Sequence, residues 1–441
     1  MISKTLIFLP FILALTFLPV FAQDTEAPVW TLEQCLKQAL ENNPQVRSSH
    51  FTVQESEARV DEVRAGFFPT LNMNGSVGRH SFESPGQSGF INKDSYDTEI
   101  YARYPIFEGF RTLAASQAAK ASFQADQSQY RQELDGLILN VTEAYYRLLQ
   151  AERLVEVAEQ SLKRAQVHLD YAGARFGAGL AARSDILKAK VEQSNSQLTL
   201  IRARNARLAA AGRLNVQLGR PAHHAIQIRD DLEAQMFSSP KDSLALRSNT
   251  EELIDAALQS RPELVKIEQN LKAQQAAVRM ARSEYFPTIS LNASYDYSGE
   301  APSDLQASSY VGVSVSFPLF SGFARPARVA QEKWRLESLS QQQQALRLQV
   351  SLEVWNALLA FKEAAERISN TRIFYDNSLE NLRIAEGEYK EGVGSMLDVI
   401  DAQTALVTAE ESHIEALADF QIARAALERA VGRHDIEEML K

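Results

Sequence analysis

The chain has 441 residues, 45% hydrophobic and 23% charged, with 19 Gly, 14 Pro and one Cys, which excludes a disordered chain, a collagen-like chain and a disulfide scaffold. A net charge of −10, with no basic run along the sequence to neutralise phosphates, speaks against nucleic acid as a partner. A mean hydropathy of −0.25, with no long apolar run beyond the N-terminus, excludes a bundle of membrane-crossing helices.

Residues 1–22 read as a signal peptide. Lys4 supplies the positive start, Leu6 to Phe21 is almost wholly apolar, and Val20-Phe21-Ala22 ends in a small residue that signal peptidase accepts. Pro10 and Pro19 interrupt the run, so cleavage after Ala22 is expected rather than a permanent anchor. The single Cys35 rules out an intrachain disulfide. The Leu32-Glu33-Gln34 stretch before it lacks the small residues of a lipid attachment site and suits a half-buried helix.

The rest of the chain is a duplication. Ala39-Leu40 with Pro44 recurs as Ala257-Leu258 with Pro262, and Phe68-Pro69-Thr70 as Phe286-Pro287-Thr288, at an offset of 218 (262 − 44). Pro105-Ile106-Phe107 with Gly109-Phe110 recurs as Pro318-Leu319-Phe320 with Gly322-Phe323, and Gly219-Arg220 as Gly432-Arg433, at 213 (318 − 105). The first repeat is assigned to residues 23–229, a linker to 230–249, the second repeat to 250–433 and a C-terminal tail to 434–441.

Each repeat reads helix, strand, loop, strand, long helical hairpin. Strands are expected at 70–81 with 96–107, and at 288–298 with 309–320, each of about 11 residues, near the roughly 9 to 11 that a tilted strand needs to cross a bilayer. Ile289, Leu291, Ala293, Tyr295 and Tyr297 share one face, as do Val311, Val313, Val315, Phe317 and Leu319. Polar segments Glu83 to Lys93 and Gly299 to Ser308 read as the loops between them. Alternation alone fits a soluble hairpin packed on a core equally well.

The hairpins are expected over 113–218 and 325–431. Val141, Leu148, Val155, Leu162, Leu169 and Phe176 recur every seven residues, with Ala144, Ala151, Ala158, Ala165 and Ala172 three positions later. This is a coiled-coil seam of large and small residues. Val354, Phe361, Ile368, Tyr375, Leu382 and Tyr389, with Ala357, Ala364, Thr371, Ser378 and Ala385, repeat it. A helix from Leu113 to Phe176 would span roughly 96 Å at about 1.5 Å per residue, too long for a compact domain. Gly177 and Gly179 turn the first hairpin, Gly392 and Gly394 the second. Returning helices follow, with Leu187, Val191, Leu198, Ile201 and Leu208 apolar in the first and Ile400, Val407 and Ile414 in the second.

Four strands cannot close a barrel, and open edges are not tolerated in lipid. Two copies would give eight strands with a side-chain-filled interior, whereas three give twelve and a water-filled lumen. The expected fold is therefore mainly α with a small β part: a trimer forming a 12-stranded barrel in the outer membrane, joined to a 12-helix barrel in the periplasm.

The chain resembles the TolC family of outer-membrane efflux and secretion channels. The duplicated Phe-Pro-Thr, with Pro69 and Pro287, carries the likeness at the entry to each strand pair. At the exit it is carried by Pro105 with Phe107-Glu108-Gly109 and Pro318 with Phe320-Ser321-Gly322, and at the tip by the turn from Tyr389 through Gly392 to Ala402. The resemblance implies a homotrimer set in outer-membrane lipid, working with a periplasmic adaptor and an inner-membrane RND, ABC or MFS transporter in tripartite efflux or type I secretion, with no cofactor. It also implies that Asp398 and Asp401 form carboxylate rings at a periplasmic gate, and that Asp185 and Tyr389 join links holding the tip shut. Rings of that kind around a three-fold axis favour cations. The plainer reading is that Asp185 and Asp398 only start helices. Gly394 stands where such channels often carry a basic residue, so the closing links are expected to differ.

The seven histidines show no metal-ligand spacing, and neither a phosphate loop nor a nucleophile elbow is present. The competing class is a secreted or periplasmic coiled-coil scaffold or adhesin stalk with no pore.

Overall fold

The computed structural model describes residues 29–83, 90–230 and 249–432; the expected signal peptide, most of the expected linker and the C-terminal tail lie outside the described residues. The first repeat runs β1 (Val29–Trp30), α1 (Leu32–Asn42), α2 (Pro44–Arg64), β2 (Thr70–Glu83), β3 (Phe90–Glu108), α3 (Arg111–Gly177), α4 (Arg183–Gln217) and β4 (Gln227–Ile228). The second runs α5 (Thr250–Ser260), α6 (Pro262–Ser283), β5 (Thr288–Gly299), β6 (Gln306–Ser316), α7 (Ala324–Glu391) and α8 (Met396–Val431).

Local chemistry sets these boundaries. Thr31 and Gln34 form a capping box on α1. Asn43 caps α2 by accepting from the Gln45 amide at 2.9 Å, with Pro44 at the first helical position, where the missing N–H costs nothing. Helix α3 has 67 residues, about 100 Å at the usual rise. No single partner matches that length. Its first half packs on α2 and α6, and its second half on α4 and α8.

Midway along, the short helices and the parallel pair β1–β4 wrap the main core. Tyr145, Tyr146, Leu148 and Leu149 of α3 meet Leu358 and Phe361 of α7 and Phe420 of α8, all almost fully buried. The Phe361 and Phe420 rings stack at 5.3 Å, and the Tyr145 hydroxyl donates to the Arg229 carbonyl at 2.8 Å.

The seam differs between repeats. On α3 its small members Ala151, Ala158, Ala165 and Ala172 are buried, while Val155, Leu162 and Leu169 are half-buried and Phe176 is exposed. Phe361, Ile368, Leu382 and Tyr389 on α7 are buried. Alanines let α4 and α8 approach α3 closely, because interaxial distance follows side-chain size. Leu187, Val191, Leu198, Ile201 and Leu208 of α4, by contrast, all lie exposed.

The strands form one antiparallel sheet in the order β2-β3-β5-β6. Two strands, β3 and β6, depart most from the sequence expectation. Phe90 to Ser95 is strand rather than loop, because its polar side chains pair across the ladder: Arg79 meets Asp94 at 2.6 Å. Strand β6 starts at Gln306 and stops at Ser316, so Phe317 to Phe320 lie outside it. Pro318 cannot donate to a ladder, and its carbonyl is instead held by the Arg325 guanidinium.

Candidate functional site: a two-faced sheet and a helical tip

Residues directly opposite in a ladder lie on one face, so the register sorts the sheet. Leu71 faces Ala102, Met73 faces Ile100 and Val77 faces Tyr96. Ala102 faces Ala293 and Ile100 faces Tyr295. Ala293 faces Val311 and Leu291 faces Val313. These rows make that face largely apolar, and polar pairs such as Arg79 with Asp94 follow only toward the β2–β3 turn. The opposite face carries Asn72, Asn74, Ser76, Asp97, Glu99, Tyr101, Arg103, Asn292, Ser294 and Asp296, with Tyr101 donating to Asn292 at 2.7 Å.

In a soluble hairpin the apolar face would be covered. Here Leu71 and Met73 are each 73% exposed, and Val77 and Val311 75%. Leaving such side chains in water forgoes about 1.5–3 kcal/mol each. Half a dozen of them amount to roughly the whole stability of a domain, about 5–15 kcal/mol. Lipid on one face and water on the other satisfies the pattern, and no helix among the described residues is long and apolar enough to cross a membrane.

At the junction of sheet and helices, Pro69 and Pro287 precede β2 and β5, Pro105 adjoins a bulge in β3, and Pro318 follows β6. Gly109 and Gly322 both have positive φ, 63° and 59°. A side chain at Gly109 would lie 2.5 Å from the Ser283 carbonyl and 2.8 Å from Phe286 Cβ, whereas one at Gly322 would meet nothing within 4 Å. The Phe286 ring packs edge-on against Phe107 and Phe110 at 6.4 and 6.2 Å. Its first-repeat counterpart Phe68 is 65% exposed, as are Phe320 and Phe323, at 75% and 76%.

The far tip of the hairpins is held by a small core of Ala172, Ala189, Leu382, Tyr389, Met396 and Val399. Gly179 and Gly392 take the left-handed turns, with φ 72° and 81°; Gly177 ends α3. Gly394 answers a different demand. A Cβ there would come within 3.0 Å of Glu388 Cβ, because the turn folds back and Gly394 N donates to the Glu388 carbonyl at 3.1 Å. A basic residue at Gly394 would thus be crowded against Glu388 and Tyr389.

A guanidinium arrives from elsewhere. Arg175, near the end of α3, donates to the carbonyls of Tyr389 and, at 3.2 Å, Lys390, and lies over the Tyr389 ring at 5.0 Å. Those carbonyls lie in the last turn of α7, where the Tyr389 carbonyl also accepts from the Gly392 amide at 3.2 Å, and a cation suits the negative end of a helix. Higher up, His168 meets Glu386 at 3.1 Å and Arg164 meets Glu410 at 3.3 Å, tying α3 to α7 and α8. Gln403 is fully buried and donates to the Ser161 carbonyl at 3.2 Å. The sequence reasoning missed all of these; the sole local signal was a basic residue in the last turn of α3.

Tyr389 is buried. Burial, then the nearby Asp185 carboxylate, pushes its phenol above the ordinary value, against Arg175. No hydrogen bond joins Asp185 to Tyr389; Asp185 lies 4.0 Å from Lys188 in the first turn of α4. Asp398 sits at the third position of α8 in a capping box with Ser395, accepting from its amide at 2.9 Å and its hydroxyl at 2.7 Å. The Ser395 hydroxyl and then its amide lower the Asp398 carboxyl. Both hydrogen bonds use Oδ2. Asp401 is one turn on, and both side chains are exposed, opposite the buried Met396, Val399, Ala402 and Leu406.

A two-faced bilayer sheet carrying long helical hairpins defines a membrane duct with a helical extension. Residues 35–220 and 253–433, the two repeats, match the family model for outer membrane efflux proteins, and the chain belongs to that family. It is 24% identical over 425 residues to the outer membrane protein TolC of Escherichia coli, covering 93% of this chain and 83% of that one. It is 25% identical over 416 residues to the protein CyaE of Bordetella pertussis, covering 91% and 84%. The fold superposes on the Campylobacter jejuni CmeC outer membrane channel with a TM-score of 0.78 at 16% identity, covering 93% and 89%. The chain is thus an outer-membrane efflux channel with a periplasmic helical portion, and neither an enzyme nor a free scaffold.

Proposed function

We propose that three copies of this chain close into one duct, which receives cargo from a periplasmic adaptor and an inner-membrane RND, ABC or MFS transporter and opens at the helical tip. The observation that carries the proposal is the open sheet: among the described residues β2 and β6 are unpaired on their outer edges, and edges cannot stay open in lipid. Twelve strands give a lumen wide enough for water, lined by the polar face.

The duplication supplies the contacts. Within the chain β3 pairs with β5, and Gly109 packs under Phe286. The same geometry between copies brings β6 to β2, and seats Gly322 and the Phe320–Phe323 pair against Phe68 of the neighbour. The exposed apolar faces of α4 and α7, including Trp334, Leu348 and Trp355, meet along the helices. Gly322→Val tests this beside Gly179→Val, since both glycines have positive φ and open space within one chain and so share the backbone strain. Gly322→Val is expected to leave less outer-membrane trimer than Gly179→Val; equal trimer in the two variants would contradict the proposed junction.

At the tip, Asp398 and Asp401 act as the gate carboxylates, with Arg175 and Tyr389 fixing the turn beside them. Asp398 combines two tasks, capping α8 through Oδ2 and presenting Oδ1 to the lumen. Asp185 contributes charge near Tyr389.

A further inference from the structure

Beneath the sheet, a groove of about 740 Å³ runs between the start of α3 and the end of α6. Its walls carry Lys120, Lys272, Arg279 and Arg282, and Phe110, Leu113 and Phe286 close the end nearest the strands. Lys272 pairs with Glu268 at 2.9 Å, and Arg279 donates to Gln117 at 2.8 Å. Lys120 and Arg282 meet no carboxylate within ion-pair distance among the described residues.

Two observations give the groove a ligand. Phe107 stands opposite Ile289, which faces Val315 on the apolar side of the sheet, and Phe107 packs on the Phe110 and Phe286 that close the groove. The strand-side end of the groove therefore adjoins the apolar face of the sheet. The duplication provides an internal control as well. The offsets replace Arg279 by Asp61, Lys272 by Gln54, Arg282 by Arg64 and Lys120 by Lys333, with Asp61 and Arg64 paired at 3.1 Å. The other junction keeps two of these four cations, one of them paired with a carboxylate, so its architecture does not account for a cluster of four.

We propose that this groove binds the phosphate-bearing headgroup of an anionic glycerophospholipid in the periplasmic leaflet of the outer membrane. Arg279 and Arg282 present planar donors that match phosphate oxygens, and Lys120 and Lys272 add point charge. The phenylalanines lead the acyl chains up to the apolar face. Such a basic pocket just inside a membrane boundary is a lipid-recognition device, and it fixes the depth at which the sheet sits. The proposal rests on the sheet lying in the outer membrane.

The test uses the full chain reconstituted in phosphatidylethanolamine nanodiscs doped with phosphatidylglycerol, with retained lipid counted by native mass spectrometry. Wild type is expected to enrich phosphatidylglycerol. Lys120→Gln with Arg282→Gln is expected to lose about fivefold per charge, roughly 25-fold together, and the control Arg64→Gln with Lys333→Gln to lose none. Equal retention of both lipids by wild type, or equal losses in both variants, overturns the headgroup site. Fractionation in parallel separates the two claims: a chain absent from the outer membrane overturns the membrane reading too, whereas an inserted chain without enrichment overturns the headgroup site alone.

Discussion

Arg175 shows how a residue can take over a task from another part of the chain. Gly394 was legible as a departure, yet the reason for it, a turn folded within 3.0 Å of Glu388, required the backbone. Arg175 was not legible because its acceptors lie 214 and 215 residues away, and no local pattern encodes such a contact. Removing it leaves the Tyr389 and Lys390 carbonyls without their charged donor, a loss of about 1.5–3 kcal/mol at the tip. Arg175→Ala is therefore expected to raise single-channel conductance in a planar bilayer, with Arg175→Lys falling between; identical conductances would detach this contact from closure. Asp398→Ala with Asp401→Ala is expected to raise conductance and weaken block by multivalent cations. Unchanged conductance and block would remove both carboxylates from the gate.

The elements were the most legible part of the chain. A seven-residue period and proline-free stretches pointed to helices of this length, and Pro44 and Pro262 marked their short partners. What the period could not say was which side of the seam is shared within one chain and which awaits another copy, so the apolar residues of α4 gave no hint that they would be exposed. Strand ends were less legible: Phe90 to Ser95 reads as loop until Arg79 meets Asp94 across the ladder. On α3, the Asp135 carboxyl is pushed up to about 6 by burial and then by Glu263, against Arg429, Arg261 and Arg131. Its native pKa lies above the ordinary value of about 3.9, so the folded state holds the proton more tightly. The destabilisation is complete above pH 6 and is relieved as pH falls through 6 toward 4. Asp135→Asn is expected to raise the thermal midpoint at pH 7.5 and to narrow its gap from wild type at pH 4; a gap that is constant with pH would rule out this titration.

For the whole molecule, the low mean hydropathy follows from where lipid is met. One face of one four-stranded sheet carries the apolar surface, and the opposite face and the hairpins meet water. The two repeats and the need for closure were readable from residues such as Phe68 and Phe286, but strand alternation alone could not choose between a membrane sheet and a soluble hairpin. The register chose, by gathering Leu71, Met73, Val77, Val311 and Val313 on one uncovered face. The same register states how copies should join. Tyr101 faces Ser294 within the chain, and the repeat offsets, 101 + 213 and 294 − 218, carry that pair to Ser314 of one copy and Ser76 of the next. Facing residues in an antiparallel ladder have Cα atoms about 4.5–5.5 Å apart, within disulfide reach. The most direct measurement is oxidation of Ser76→Cys with Ser314→Cys, in a Cys35→Ser background, in isolated outer membranes. A covalent trimer that persists in denaturant and collapses on reduction is the expected result, and a chain that stays monomeric under oxidation would contradict the closed three-copy duct.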